Sequence, residues 1–196
     1  VYPMTPPPTS DLVILDASYG DDPVPCAARV DAIRGWIARH PGAAVLPTPL
    51  AGRALELLAV IEGRLAIAAD MRQALGAQIA APGAIRDTMR APLLARLAAA
   101  QDWVPGTPLP DCPLLVHDGM GAAGPAAPAL VAAQAEAAAV LLTGHVPPAT
   151  PAAALLAAGR ADWLRMPTHP NRDETVGLWQ AAGAPAGALG DLCEEA

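Results

Sequence analysis

A chain of 196 residues is long enough for one domain with a substantial core. It is 53% hydrophobic but only 3% aromatic, with no Phe, so its interior must be built from Ala, Leu, Val and Ile. The net charge of −7, with all 12 basic residues Arg, excludes a general basic coat for nucleic acid but leaves room for a local arginine-lined groove.

Cys26, Cys112 and Cys193 are far apart, odd in number and match no ligand spacing; they read as buried or idle thiols of a cytoplasmic protein. No apolar run reaches membrane-spanning length and the N-terminus lacks a charged leader, so neither a membrane partner nor a signal peptide is expected. The first residue is Val rather than Met, which raises the expectation of a fragment of a larger protein.

In chain order, residues 1–10 form a Pro-rich lead-in or linker, and residues 11–196 carry the folded pattern. Leu12–Leu15 is a short continuous apolar run, the signature of a strand buried on both faces. Further runs of this kind follow at Ala43–Leu46, Leu65–Ala69, Pro113–Val116, Ala138–Leu142 and Trp163–Met166. Between them lie helical spacings. Val30, Ile33 and Ile37 share one face, as do Leu55, Leu58 and Ile61. Met71–Ala80, Pro92–Ala100, Pro125–Ala137, Thr150–Ala158 and Asn171–Ala182 complete the set. Strands alternating with helices require crossover connections. The reading is one α/β domain, a mostly parallel sheet with helices on both faces, Rossmann-like in architecture.

In such a sheet ligands bind beyond the carboxyl ends of the strands. The polar residues that follow the apolar runs are Asp16, Thr48, Asp70, His117 with Asp118, Thr143 with His145, and Thr168 with His169. An acid–imidazole cluster there suits general acid–base work or metal ligation. Thr48, Asp70 and Thr143 are equally ordinary strand-end caps, and His40 suits the dipole at a helix end. Asn171 followed by Glu174 has the spacing of a capping box, which would set His169 beside a helix N-terminus that welcomes an anion. His117–Pro125 is a Gly-rich segment between strand and helix that can cradle a phosphate, although it fits neither the dinucleotide fingerprint nor the P-loop pattern.

Taken together and in order, these segments resemble the β-CASP domain of metallo-β-lactamase-fold nucleases. Leu15–Asp21 is similar to the family's acidic-Ala/Ser-Ser/Thr-Tyr-Gly segment, and Val45–Leu57 to its Pro-x-x-Ala-x-Gly-Arg stretch leading into a Glu-Leu helix. His117–Met120 with Gly124 and Pro125 resembles its phosphate loop, Leu141–His145 its apolar-Thr-Gly-Tyr/His strand end, and Thr168–Glu174 its Ser-x-His-Ala-Asp-x-x-Glu segment. The similarity runs from about Leu12 to Gly183. It departs from the family where His117 and Asp118 replace a Ser-rich loop start, and where Pro170 and Asn171 replace Ala-Asp.

The resemblance implies the lid of a zinc-dependent nuclease, cutting single-stranded RNA more readily than DNA. His169 would protonate the leaving group, and Asp16 would steady a metal-ligating imidazole. His117, Asp118, Gly119, Met120, Gly124, Arg53, Thr143 and Arg172 would contact substrate. No metal ligand is expected in this chain, because the family's His-x-His-x-Asp-His motif is absent; the zinc ions would sit mainly in a metallo-β-lactamase domain of the same parent protein, and the isolated chain would be inactive. Two other readings of the residues stay open: a non-catalytic nucleic-acid-binding or assembly domain, and a small-molecule enzyme on a Rossmann-like sheet.

Overall fold

The structure, a computed structural model, describes residues 1–184. The chain divides into two compact units, one of Val1–Pro3 with Asp31–Met166 and one of Met4–Val30 with the residues from Pro167 onward. Their elements are α1 (Cys26–Arg39), β1 (Ala44–Pro47), α2 (Arg53–Val60), β2 (Ala66–Ala68), α3 (Met71–Ala80), α4 (Asp87–Ala99), β3 (Gln101–Trp103), β4 (Pro113–Val116), α5 (Ala126–Ala135), β5 (Ala139–Leu142), α6 (Pro151–Ala157), β6 (Asp162–Trp163) and α7 (Arg172–Ala181). Helix α1 begins in the second unit and ends in the first.

The first unit holds a six-stranded sheet in the order β3-β2-β4-β1-β5-β6, every pair parallel. This is the α/β class that the alternating pattern requires. One row of register runs Val140, Val45, Leu114, Ala66, Gln101 across five strands. The two central strands β1 and β4 are buried at every position, as expected of strands covered on both faces. From β1 the chain crosses to β2 through α2, and from β4 it crosses the other way to β5 through α5. Right-handed crossovers in opposite directions put α2 and α5 on opposite faces. The carboxyl edge between β1 and β4 is thus the point where the winding of the sheet reverses, the place where open parallel sheets take ligands.

The core is aliphatic, as the composition demands. Leu46, Leu57, Leu58, Ile67, Met71, Leu75, Ile79 and Leu115 are fully buried, each contributing about 1.5–3 kcal/mol of transfer free energy. Helix α5 buries Ala126, Ala129 and Ala133 beside Leu130 and packs on β1; small side chains are what let a helix lie close to a sheet. Val1 and Tyr2 of the lead-in belong to this unit. Tyr2 donates to Gly52 O at 2.6 Å, and Arg86 donates to Val1 O and Tyr2 O.

In the second unit polar contacts tie the described residues together. Asn171 caps α7, accepting from Glu174 N at 2.9 Å while the Glu174 carboxylate accepts from Asn171 N at 2.9 Å, so the expected capping box is present. Asn171 Nδ2 also donates to Val24 O, Arg172 N to Asp22 O, and Ser10 N to Ala182 O. Arg29 pairs with Asp22.

Two strand expectations are corrected. Leu12–Leu15 forms no strand; Leu12 is 69% and Ile14 82% exposed, and the sheet does not include them. An apolar run becomes a buried strand only where neighbours bond it on both sides, and none of the strands above does so. Trp163–Met166 shrinks to β6 at Asp162–Trp163, an exposed edge strand, although Leu164 N and Met166 N still donate to Leu142 O and Thr143 O. Strand β3 was not expected: Gln-Asp-Trp is too polar and short to read as a run, and its Asp102 is held by Arg72 from α3. Helix α4 begins at Asp87 rather than Pro92; Pro92 lies inside it. Cys26 Sγ donates to Glu174 Oε2 at 3.4 Å, Cys112 is buried with its thiol pushed up by that burial, and Cys193 lies outside the described residues. No described helix is long and apolar enough to cross a membrane.

Candidate functional site

In the second unit the structure joins Asp16 and His169. Residues 16–19 turn tightly, so that Asp16 Oδ1 accepts from Ser18 N at 2.8 Å and from Ser18 Oγ at 2.5 Å. This leaves Oδ2 for Nδ1 of His169, which bonds to it. The two Ser18 hydrogen bonds are the first causes that hold the Asp16 carboxyl below its usual range, with the imidazole a smaller one. Thr168 N donates to the Tyr19 hydroxyl at 3.0 Å, and the Tyr19 ring meets the His169 ring edge-on with centroids 5.2 Å apart. The imidazole is thus fixed by a carboxylate on one nitrogen and an aromatic wall at its side. Among the described residues nothing bonds its Nε2, and 40% of the side chain stays exposed. The arrangement suits passing a proton between Nε2 and a bound molecule. Asp16 does not follow a strand, and His169 lies well beyond the last residue of β6. Arg172 stands at the start of α7, its Nε bonded to Asp173 Oδ1 at 3.0 Å.

In the first unit Thr48, Asp70, His117 and Thr143 do fall at the carboxyl ends of parallel strands. His117 Nε2 and Asp70 Oδ2 are 2.9 Å apart. The loop after β4 closes on itself. Asp118 Oδ1 accepts from Met120 N at 2.9 Å and Ala122 N at 3.2 Å, and Ala126 N donates to His117 O. The chain's own carboxylate thus holds two amides of the loop. Gly124, at φ +54°, lies against the His117 ring, where a Cβ would come 3.1 Å from Cε1. Gly119 lies against Pro49 in the same way. The Met120 side chain is 43% exposed. Thr48 and Thr143 are buried, and neither hydroxyl has a hydrogen-bond partner among the described residues.

Arg53, at the first position of α2, lays its guanidinium on Gly144; a Cβ there would overlap Nη1 and stand 3.1 Å from Cζ. Gly144 O in turn accepts from Trp163 Nε1 at 2.8 Å, and Arg165 Cζ stands 5.4 Å from the Trp163 ring centroid. Arg53 and Thr143 are legible as site residues from the sequence and Trp163 and Arg165 are not, because Trp163 reads as a core position of a buried strand; its place on an edge strand exposes it.

Among the described residues no group of three or more His, Cys, Asp or Glu side chains could hold a metal ion. No protein-family model matches the chain, and no curated protein matches it.

Proposed function

We propose that this chain is the β-CASP-like part of a metal-dependent nuclease that hydrolyses single-stranded RNA, with His169 as general acid and Asp16 as the residue that orients it. The observation that carries the reading is the Asp16–His169 pair: the carboxylate takes Nδ1 and leaves Nε2 open. An imidazole so held can pass a proton to the oxygen of a departing nucleotide. The described donor set does not fit a zinc centre, so the metal implied by the resemblance is assigned to a metallo-β-lactamase domain outside these residues.

The test uses the polypeptide encoded by the whole reading frame, labelled single-stranded RNA, and added Zn²⁺ or Mn²⁺. Hydrolysis should fall roughly 10²–10⁴-fold in kcat in His169→Ala, and residues 1–196 alone should not cleave. Equal turnover in the variant, or no hydrolysis by the whole polypeptide, overturns the reading.

A second reading has its own support. With Asp118 engaging Met120 N and Ala122 N, the loop holds its own anion where the resemblance puts a phosphate. This favours a domain that binds nucleic acid or a partner without cutting, and RNA binding with no cleavage under any metal would be its signature.

A further inference from the structure

We propose that Trp163 and Arg165, with Arg53, form a platform for one nucleotide of a single-stranded RNA, the base stacking on the indole and the flanking phosphates meeting the guanidiniums. The inference rests on RNA as the ligand, and it concerns residues of the first unit alone.

Gly144 is the node. Its lack of a side chain lets the Arg53 guanidinium lie on its backbone, and its carbonyl takes the Trp163 indole N–H at 2.8 Å. Trp163 sits on the edge strand β6, whose outer side pairs with no described strand, and it is 40% exposed. The hydrogen bond fixes the ring before any ligand arrives, so little side-chain freedom is left to lose on binding. Arg165 stands over the ring at 5.4 Å, which leaves the remaining exposed indole surface for a base. Two guanidiniums thus lie beside one exposed, immobilised indole. That pairing of stacking surface and cation is how proteins hold single-stranded nucleic acid without reading sequence. Arginine also suits phosphate oxygens, since its planar fork can present two N–H groups at once.

The test is fluorescence anisotropy of residues 1–196 with a labelled oligoadenylate at one fixed salt concentration, beside an abasic ribose-phosphate oligomer. Trp163→Ala should weaken oligoadenylate binding about tenfold to a hundredfold, Trp163→Phe should retain most of the affinity, and Arg165→Gln should weaken both probes. The wild-type chain should bind the abasic oligomer about as weakly as Trp163→Ala binds oligoadenylate. That comparison does not depend on the variant folding. Unchanged affinity in Trp163→Ala, equal wild-type affinity for the two probes, or no binding of oligoadenylate each overturns the platform. The nuclease reading fails separately, in the cleavage assay with His169→Ala. Stacking without cleavage leaves the platform standing, and His169-dependent cleavage with a KM indifferent to Trp163 removes the platform alone.

Discussion

Gly121 gives a sharp test of how the loop after β4 is built. Its φ of +71° lies in the left-handed region, and a Cβ there would overlap Leu130 Cδ1 and stand 3.5 Å from its Cγ and 3.7 Å from Pro151 Cβ. Leu130 is 2% exposed in α5, so its movement is resisted by the packing of that helix on β1. Replacing Gly121 by Ala adds about 1 kcal/mol for the left-handed backbone and about 1–3 kcal/mol for overpacking, less about 0.4–1 kcal/mol returned by a stiffer unfolded chain. The expected net loss is about 1–3 kcal/mol, or roughly 2–12 °C in Tm for a chain of this size. Gly159 is the control, since it has φ +64° and nothing within 4 Å of its ideal Cβ. Gly159→Ala carries the backbone cost alone and should lose less than about 1 kcal/mol. Circular dichroism melts and urea titrations of both variants measure the difference. Leu130→Val in the Gly121→Ala background should recover part of the loss, because the two changes share one contact. If Gly121→Ala is no less stable than Gly159→Ala, the account of the loop as pressed against α5 is wrong.

Two titrations follow from the same structure. Asp16 should titrate below the usual carboxylate range, and Ser18→Ala should raise its midpoint, because the Ser18 Oγ bond is the largest single cause; carboxyl-carbon NMR reads this, and an unmoved midpoint would refute it. With its folded pKa depressed, the stability that Asp16 contributes is present above its unfolded pKa and is lost as pH falls through the lower folded value. Tyr2 is pushed up to about 12, first by burial and then by Glu56. Its stabilising contribution is full below the unfolded value of about 10 and declines as pH rises towards 12. Urea titrations between pH 9 and 12 should therefore show a steeper loss of stability in wild type than in Tyr2→Phe, and equal slopes would refute the shift.

Where one apolar run answered to one element, the pattern was enough. Pro113–Val116 is β4 and Met71–Ala80 is α3, both at the expected bounds, because a strand covered on both faces and a well-spaced helix each leave a local mark. Leu12–Leu15 leaves the same mark and is exposed, since hydropathy cannot show whether a neighbouring strand exists. Gln101–Trp103 is the converse, a strand made by its place beside β2 and by the Arg72–Asp102 pair rather than by its own composition. The site divides similarly. Asp16 and His169 were legible singly, as polar residues with a motif around each, and their hydrogen bond across the sequence was not. Asp118 read as a substrate contact; that its carboxylate turns back onto Met120 N and Ala122 N depends on the fold of its own loop.

Among the described residues two carboxylate–imidazole pairs form, and the chemistry of each is decided by what surrounds its ring. His117 meets Asp70 through Nε2, while Gly124 closes on its other side with an ideal Cβ only 3.3 Å from Nδ1. Its main-chain oxygen, too, is engaged by Ala126 N. A ring bonded through one nitrogen and walled by backbone at the other is placed to organise the loop. His169 reverses the arrangement: Nδ1 is the bonded nitrogen, and Nε2, the atom farther from the backbone, is the one left open. Tyr19 steadies the ring from its edge without covering that nitrogen's role. Proton transfer needs a nitrogen that a second molecule can reach, and of these two rings His169 is the one whose unbonded nitrogen is clear of a glycine contact like that at His117 Nδ1. That contrast supports the proposal of His169, rather than the equally well-paired His117, as the general acid.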